Sequence, residues 1–576
     1  MSSSIIITDK AKCRDCYRCV RICPVKAIRI ADGQARVDAE RCILCGTCVR
    51  ECPQRAKHVR NDLDKLAALL SGPGPVIASV APSFPAAFAD YGSGLLTSAL
   101  KKLGFDMVTE TAVAAELVAA STAELLGKGK SAWVTSACPV VVNLIERYYP
   151  EACPNITPIV SPMVAHAAYL KQKYGKTAKV VFIGPCPAKK GEADDEAKEL
   201  VDAVLTFEEL HQAFDEAGID RSALQPTRFD DVRPKNAQLF PLEGGLARTA
   251  ALSSGLLRED FMAISGADRV IEMIAHMSEE SSIGLFEALF CPGGCINGAC
   301  LGRGKDIFAR RSRVLKYQKR KSFEAEQEID VASVQGIDLA RSVRQVEVPH
   351  VEFSDEQVRT VLAQIGKNAP EDELNCGACG YSSCKENALA VLSGMAEHTM
   401  CLPWMRQLAE RKTDQIIDSS PNGIVVVDVS LNIVSFNAAF ASMFSCTDKL
   451  IGRPLSALMD PEDFEKVGAE LEDRISGKTV AYSAYGLIVS ESIYRLEGEN
   501  MLIGIFANIT KTKADEDRIA RMRTETLANA ERVIEQQMRM AQEIASILGE
   551  TTSETRVLLR KLTSLAQETN GEPEVK

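Results

Sequence analysis

The residues best able to do chemistry in this chain are its cysteines, nineteen among 576 residues. Two runs near the N-terminus, CRDCYRCVRICP and CILCGTCVRECP, place Cys13, Cys16, Cys19 and Cys23, then Cys42, Cys45, Cys48 and Cys52. Each run ends in a proline, Pro24 or Pro53. Three thiolates spaced by two residues can wrap three irons of a cubane, and a fourth can reach across to a second one. A zinc site would ask for histidine or for two C-x2-C pairs at longer separation. NCGACGYSSC and HTMCLPW add Cys376, Cys379, Cys384 and Cys401, a C-x2-C-x4-C-x16-C spacing for which zinc stays an alternative. Three further segments, TSACP (135–139), GPCPAKKGE (184–192) and EALFCPGGCINGAC (287–300), carry Cys138, Cys186, Cys291 and Cys295. Taken singly each of these is weak, because a buried cysteine is usually an inert small hydrophobe. Cys153, Cys300 and Cys446 belong to no set and read as packing.

Length and charge narrow the setting. A chain this long needs several domains, and 46% hydrophobic with 25% charged residues is an ordinary globular balance. The N-terminus MSSSIIITDKAKC has no apolar stretch suited to a signal peptide, and no run approaches a membrane span. Cysteines clustered in a protein kept in the reducing cytoplasm read as metal ligands or catalytic thiols. A net charge of −11 argues against nucleic acid as the main partner. Residues 1–60 run the other way, with 13 Lys+Arg against 6 Asp+Glu, a balance of +7. That suits anionic clusters and the docking of an acidic electron carrier.

The elements that must position these residues alternate. After a short helical pattern, DLDKLAALLS, the punctuation GPGP (72–75) opens an α/β region reaching about residue 320. VIASVAP (76–82), SAWVTSA (131–137) and KVVFIGP (179–185) read as strands, and ELVAASTAELLG (116–127) as a helix. Such alternation predicts parallel sheets flanked by helices, with the cysteines at strand ends or in loops.

The doubled N-terminal run resembles a bacterial two-cluster ferredoxin. By that resemblance Cys13, Cys16, Cys19 and Cys52 hold one 4Fe-4S centre, and Cys42, Cys45, Cys48 and Cys23 the second. The next three cysteine segments, in this order behind such a module, resemble the signature segments of the iron-only (FeFe) hydrogenases over roughly residues 1–320. The resemblance implies that Cys138, Cys186, Cys291 and Cys295 hold the 4Fe-4S part of an H-cluster, with Cys295 bridging to its two-iron subcluster. It implies that Lys189 donates to a cyanide ligand of that unit, and that Pro82 and Ser83 line the same pocket. Pro292, Gly293 and Gly294 suit a loop that lets backbone approach a cluster. Several positions depart from the family. Its proton-relaying cysteine is Ala137 here, two of its methionines are Gly184 and Leu289, and its acidic pair falls in LVAASTA (117–123), which holds no acid. Positioned proton transfer contributes about 10²–10⁴-fold to rate, so slow turnover is expected.

The second half reads as sensory. Residues 356–412 resemble a small helical 4Fe-4S domain. From 413, GIVVVD (423–428), NIVSFN (432–437), the helix AAFASMF and the strand ENMLIGIFANITKTK (499–513) resemble a PAS domain, closing on a turn at Asn508-Ile509-Thr510. No histidine occurs in 413–511, which disfavours a histidine-ligated haem, and the PAS ligand is unknown. Ile534, Met538, Ala541, Ile544 and Leu548 stripe a helix in 512–576, with Gly549 as its expected break, and suit a dimer or hairpin seam.

The expected architecture is multidomain α/β. It comprises a ferredoxin-like two-cluster module (1–62), an α/β H-cluster domain (72–320), a linker (321–355), a small helical 4Fe-4S domain (356–412), an α+β PAS domain (413–511) and C-terminal helices (512–576). The expected function is a cytoplasmic sensory hydrogenase that exchanges H2 and protons slowly and signals through 4Fe-4S relays to the PAS domain. Its expected partners are an electron carrier such as ferredoxin, a downstream signalling protein, hydrogenase maturation proteins and a second copy in a homodimer, with no nucleic acid and no membrane. The alternatives are a metabolic ferredoxin-dependent hydrogenase and a non-enzymatic hydrogenase-like iron-sulfur protein.

Overall fold

The computed structural model of the chain describes all residues except 1–3, 128–131, 251–260, 278–282, 303–305, 321–326, 350, 497–499 and 569–576. The first residue of the strand read at 131–137, the first of ENMLIGIFANITKTK and parts of the 321–355 linker therefore lie outside the described residues. Two compact units divide the chain, Met1–Met405 and Arg406–Lys576.

In the first unit, a four-stranded parallel sheet runs in the order Met107–Glu110, Val76–Val80, Lys179–Gly184, Ala203–Thr206. Val76–Val80 and Ala203–Thr206 are buried along their whole length. Their unbroken apolar runs suit strands covered by helices on both faces. A second parallel sheet joins Phe261–Ser265, Leu285–Leu289 and Trp133–Val134. The strand read at 131–137 is thus short, because Cys138 already caps the helix Pro139–Tyr148, with proline at its first position. Helix Ala112–Leu126 packs beside Pro162–Tyr174. Cys186 follows Lys179–Gly184, and Cys291 follows Leu285–Leu289. The carboxyl ends of parallel strands from both sheets thus deliver the cysteines expected as ligands, as open α/β folds tend to place their sites.

The N-terminal module is built from two small antiparallel pairs, Ile6–Thr8 with Lys57–Val59 and Ile28–Ala31 with Gln34–Val37. Its end is stitched to the central domain by a buried ion network. Lys190 is fully buried and donates to Asp62 Oδ2 (3.0 Å) and Glu209 Oε1 (2.8 Å). Arg60 Nε donates to Asp62 Oδ1 (2.9 Å), and Glu209 also closes a capping box with Thr206. The pair Lys189–Lys190 is therefore buried.

The second unit folds as an antiparallel five-stranded sheet in the order Ile433–Phe436, Gly423–Asp428, Met501–Asn508, Leu487–Arg495, Arg474–Tyr482. Phe440, Phe444, Phe464 and Phe506 fill its core. At the Asn508-Ile509-Thr510 turn, Thr510 N donates to Asn508 Oδ1 (3.0 Å) and Thr510 Oγ1 accepts from Ile488 N (2.9 Å). This turn pins the start of the helix Thr510–Glu568 to a PAS strand. The expected break at Gly549 does not occur, since that helix runs through it unbroken. One glycine costs only about 1 kcal/mol against alanine inside a helix, which a long run of good helix formers on both sides absorbs. The chain therefore forms no hairpin within 510–568, and Ile534, Met538, Ile544 and Leu548 are all more than half exposed.

Two outcomes follow from these contacts. Replacing Lys190 with methionine leaves two buried carboxylates facing each other and should cost about 3–5 kcal/mol. Chemical denaturation checks this, and a Lys190→Met/Glu209→Gln pair should recover part of the loss. Gly294 sits at φ +96°, and a Cβ there would stand 2.2 Å from the Pro241 carbonyl oxygen, the same oxygen that accepts from Cys295 N (2.8 Å). Gly294→Ala should therefore cost at least about 1–3 kcal/mol and lower the iron bound per chain, which calorimetry and iron analysis check together.

Candidate metal centres

The N-terminal thiols divide by crossing over. Cys13, Cys16, Cys19 and Cys52 line one small cavity beside Lys57. Burial pushes the Cys19 thiol up, Lys57 opposes this, and Cys13, Cys16 and Cys52 add to it. Cys23 belongs instead with the second run. Burial and then Cys45 push Cys23 up to about 11, while burial with Cys45 and Cys23 pushes Cys42 up to about 12. Cys48 is raised further by burial beside Cys45, Cys42 and Cys23. Two such quartets match the sets expected for two cubanes. Tyr17 (φ +53°) and Gly46 (φ +72°) hold equivalent left-handed positions before the short helices Arg18–Ile22 and Thr47–Arg50. Only the second must be glycine, because a Cβ on Gly46 would stand 2.5 Å from Ala299 Cβ.

Cys376, Cys379, Cys384 and Cys401 also line one cavity, with Tyr381 and Asn387. Asn375, at φ +47°, accepts from Cys384 N through Oδ1 (2.7 Å) and so ties the first loop to the helix Cys384–Leu392. Burial raises Cys379, and Cys401 and Cys376 add to this.

The fourth set gathers residues far apart in sequence. Burial raises Cys186, with Cys138 and Cys295 adding and Lys189 opposing. Cys291 is raised by burial with Cys186, Cys295 and Cys138, and Cys295 is pushed up to about 12 by burial and Cys138. Burial disfavours the thiolates of Cys186, Cys291 and Cys295 unless a metal takes the place of their protons, so with Cys138 beside them the donor chemistry fits an iron-sulfur cluster. Lys189 is buried and donates to Glu192 Oε2 (2.7 Å), while Glu192 Oε1 finds no partner. Ser83 is buried with its Oγ unpartnered, next to half-buried Pro82. Such orphaned polar atoms fit a pocket shaped for another group.

The departures from the family have local causes. A Cβ at Gly184 would stand 2.6 Å from the Phe182 ring and 3.3 Å from Ala81, so no methionine fits. Ala137 is half-buried against the main core. Neighbouring Ser136 is committed elsewhere, its Oγ bonding Thr157 Oγ1 (2.9 Å) and the Ile159 carbonyl. Leu117, Val118 and Ala119 are buried and apolar. Glu116 points its Oε1 to Asn236 N (2.6 Å) and Ala237 N (2.9 Å).

Glu192 and Glu287 were not singled out in the sequence. Glu192 sits three residues after Lys189, an i,i+3 spacing that could have flagged it. Burial pushes Glu287 up to about 7, while backbone donors at Leu246 and Ala247 oppose this. Its strand reads as plain β, so no sequence signal marked it.

Comparison with known proteins follows the same divisions. The C-terminal domain of the iron-only hydrogenase large subunit matches residues 74–299, a 4Fe-4S dicluster domain 5–53, an Fe-S cluster family 372–403 and the PAS fold 411–483. Iron hydrogenase 1 of Clostridium pasteurianum is 28% identical over 370 residues, covering 51% of this chain and 64% of its own length. NADP-reducing hydrogenase subunit HndD of Solidesulfovibrio fructosivorans is 27% identical over 350 residues, 50% of this chain and 55% of its own. The chain thus spans less than two thirds of either relative. The apo form of an FeFe-hydrogenase from Chlamydomonas reinhardtii aligns at 19% identity, 48% of this chain, 92% of its own and a TM-score of 0.38. Among the described residues no helix is long and apolar enough to cross a membrane. Iron-sulfur cofactors, the H-cluster included, follow from these matches and from the thiol quartets. The chain is a hydrogenase-like iron-sulfur protein, in which an iron-only hydrogenase large-subunit domain is joined to a 4Fe-4S dicluster module and a PAS fold.

Proposed function

We propose that this chain is a sensory FeFe hydrogenase, which exchanges hydrogen with protons and electrons slowly and passes the resulting redox state to its PAS half. In this reading Cys138, Cys186, Cys291 and Cys295 hold the 4Fe-4S part of the H-cluster, with Cys295 shared with the two-iron unit. A bound two-iron unit supplies the position where hydrogen is split into protons and electrons or formed from them. Lys189 would donate to its outer ligands and Glu192 would hold that ammonium in place (2.7 Å). Pro82 and Ser83 would close the pocket wall.

The observation that carries the reading is Ala137. It stands directly before the ligand Cys138 and has no atom that can hold a proton. The Ser136 hydroxyl beside it is committed to Thr157 and Ile159. The helical residues 117–119 offer only buried apolar surface. A site keeping its metal ligands while losing its proton carriers suits detection better than throughput. The basic N-terminal module would meet an acidic electron carrier such as ferredoxin, which is also what a metabolic hydrogenase would need. Maturation proteins would supply the two-iron unit. The exposed stripe Ile534, Met538, Ile544, Leu548 would pair two copies of the chain, and the PAS fold would address a downstream signalling protein.

Anaerobic protein loaded with the two-iron unit should show infrared bands of iron-bound CO and cyanide. Their absence would leave the non-enzymatic reading standing. Hydrogen uptake should be slow, and a rate matching metabolic enzymes would sink the sensory reading. Ala137→Cys should raise turnover at least about 10-fold, at the low end of what a positioned proton carrier contributes. The assay is hydrogen uptake with an artificial electron acceptor.

A further inference from the structure

The N-terminal module and the 356–405 segment meet through the loops that carry their cysteines. Arg21 Nη1 donates to the Ala378 carbonyl (3.1 Å) and Nη2 to that of Cys16 (2.9 Å). Lys26 Nζ donates to the carbonyls of Gly380 (2.7 Å) and Val20 (3.2 Å). Gly380 lies so close that a Cβ would stand 2.9 Å from Val20 Cγ1 and 3.1 Å from Arg21 N. Beyond this point Ile30 N donates to the Met395 carbonyl (2.9 Å) and Asp32 N to Glu397 Oε1 (2.7 Å).

Val20 and Arg21 lie between Cys19 and Cys23, and Ala378 and Gly380 flank Cys379. Residues within two positions of the ligands thus meet across the contact. Arg21 and Lys26, which make these bonds, line one cavity with Cys23 and Cys45, and this ties the contact to that N-terminal set. Tyr381 is buried at this contact in one apolar cluster with Cys19, Cys42 and Cys48, against which Cys13, Cys23 and Cys379 pack.

The same set touches the hydrogenase site on another side. Gly46, beside Cys45, would put a Cβ 2.9 Å from Pro187, the neighbour of Cys186. Arg50 Nη1 donates to the Asn297 carbonyl (3.3 Å).

We propose that the cluster held by Cys23, Cys42, Cys45 and Cys48 is a junction, and that the contact of Val20–Arg21 with Ala378–Gly380 passes electrons from it to a cluster held by Cys376, Cys379, Cys384 and Cys401. The step moves one electron: the junction cluster is oxidised by one and the receiving cluster reduced by one, with no proton required. Arg21 and Lys26 stand at the contact, where their positive charge offsets the repulsion between two reduced, anionic clusters. The other exit, through Cys13, Cys16, Cys19 and Cys52, leads to an external carrier. The helix Leu402–Ser419 starts at the residue after Cys401, so the internal exit ends where the chain turns toward its PAS half. Only this last point rests on the sensory reading.

The test needs neither hydrogen nor the two-iron unit, so its failure leaves the sensory reading untouched. Full-length chain reconstituted with iron and sulfide is reduced with dithionite and examined by electron paramagnetic resonance. Cys16→Ala, lacking the first N-terminal cluster, should still show spin-spin broadening from the third. Cys16→Ala/Cys376→Ala should lose that broadening, together with one further 4Fe-4S unit by iron analysis. Gly380→Ala keeps every ligand and forces the two loops apart, so it should weaken the same broadening even where the double variant fails to accumulate. Identical spectra from the single and double variants, or broadening unmoved by Gly380→Ala, would overturn the proposal.

Discussion

Four quartets of thiols, most of them buried or half-buried, are the constraint on which the first unit depends. Burial raises Cys23, Cys42, Cys48, Cys186, Cys291 and Cys295 because a thiolate in a low-dielectric pocket lacks solvation. Neighbouring thiols raise these further, so these residues resist charging on their own. Metal binding relieves both penalties at once and ties loops from distant parts of the chain. The binding energy of the clusters is in this sense folding energy.

The site of Cys138, Cys186, Cys291 and Cys295 shows how the scaffold meets that constraint. Parallel strands end in loops on a common edge, and two sheets bring Cys138, Cys186 and Cys291 there from separate strands. The loops are set by backbone more than by side chains. Gly294 meets Pro241, Gly46 meets Ala299, and Cys295 N is fixed on the Pro241 carbonyl. Lys190 with Asp62 and Glu209 then locks the N-terminal module against the same domain, which keeps its second quartet beside Cys186 and Cys291.

Cysteine spacing made the two N-terminal runs legible in the sequence, because three thiols at x2 intervals suit a compact polynuclear site, whereas Cys138, Cys186, Cys291 and Cys295 were grouped only through resemblance. The crossing of Cys23 and Cys52 was legible only through resemblance, since no spacing rule says which partner a fourth thiol reaches. Apolar strand runs such as 76–80 and 179–184 were plain, whereas 131–137 read long because its apolar residues continue into a helix cap. The buried Lys190 was not legible at all. Two adjacent lysines look like surface charge until Asp62 and Glu209, distant in sequence, are seen to meet one of them. Gly549 was misread for the opposite reason, as its local cost is real but small beside the cooperativity of a 59-residue helix.

The proposed role of Ala137 separates rate from equilibrium. A proton carrier lowers the barrier in both directions alike, so losing it slows approach to equilibrium without moving the equilibrium itself. On the sensory reading, hydrogen still sets the electron content of the clusters, and turnover only sets how quickly they follow it. A fast site beside an external carrier would drain or fill the relay according to metabolic demand, and the internal clusters would then report flux. A slow site keeps that drain small, and the redox state reaching Cys401 tracks the surrounding hydrogen. The same substitution that makes a poor catalyst therefore makes the electron content of the relay a cleaner readout.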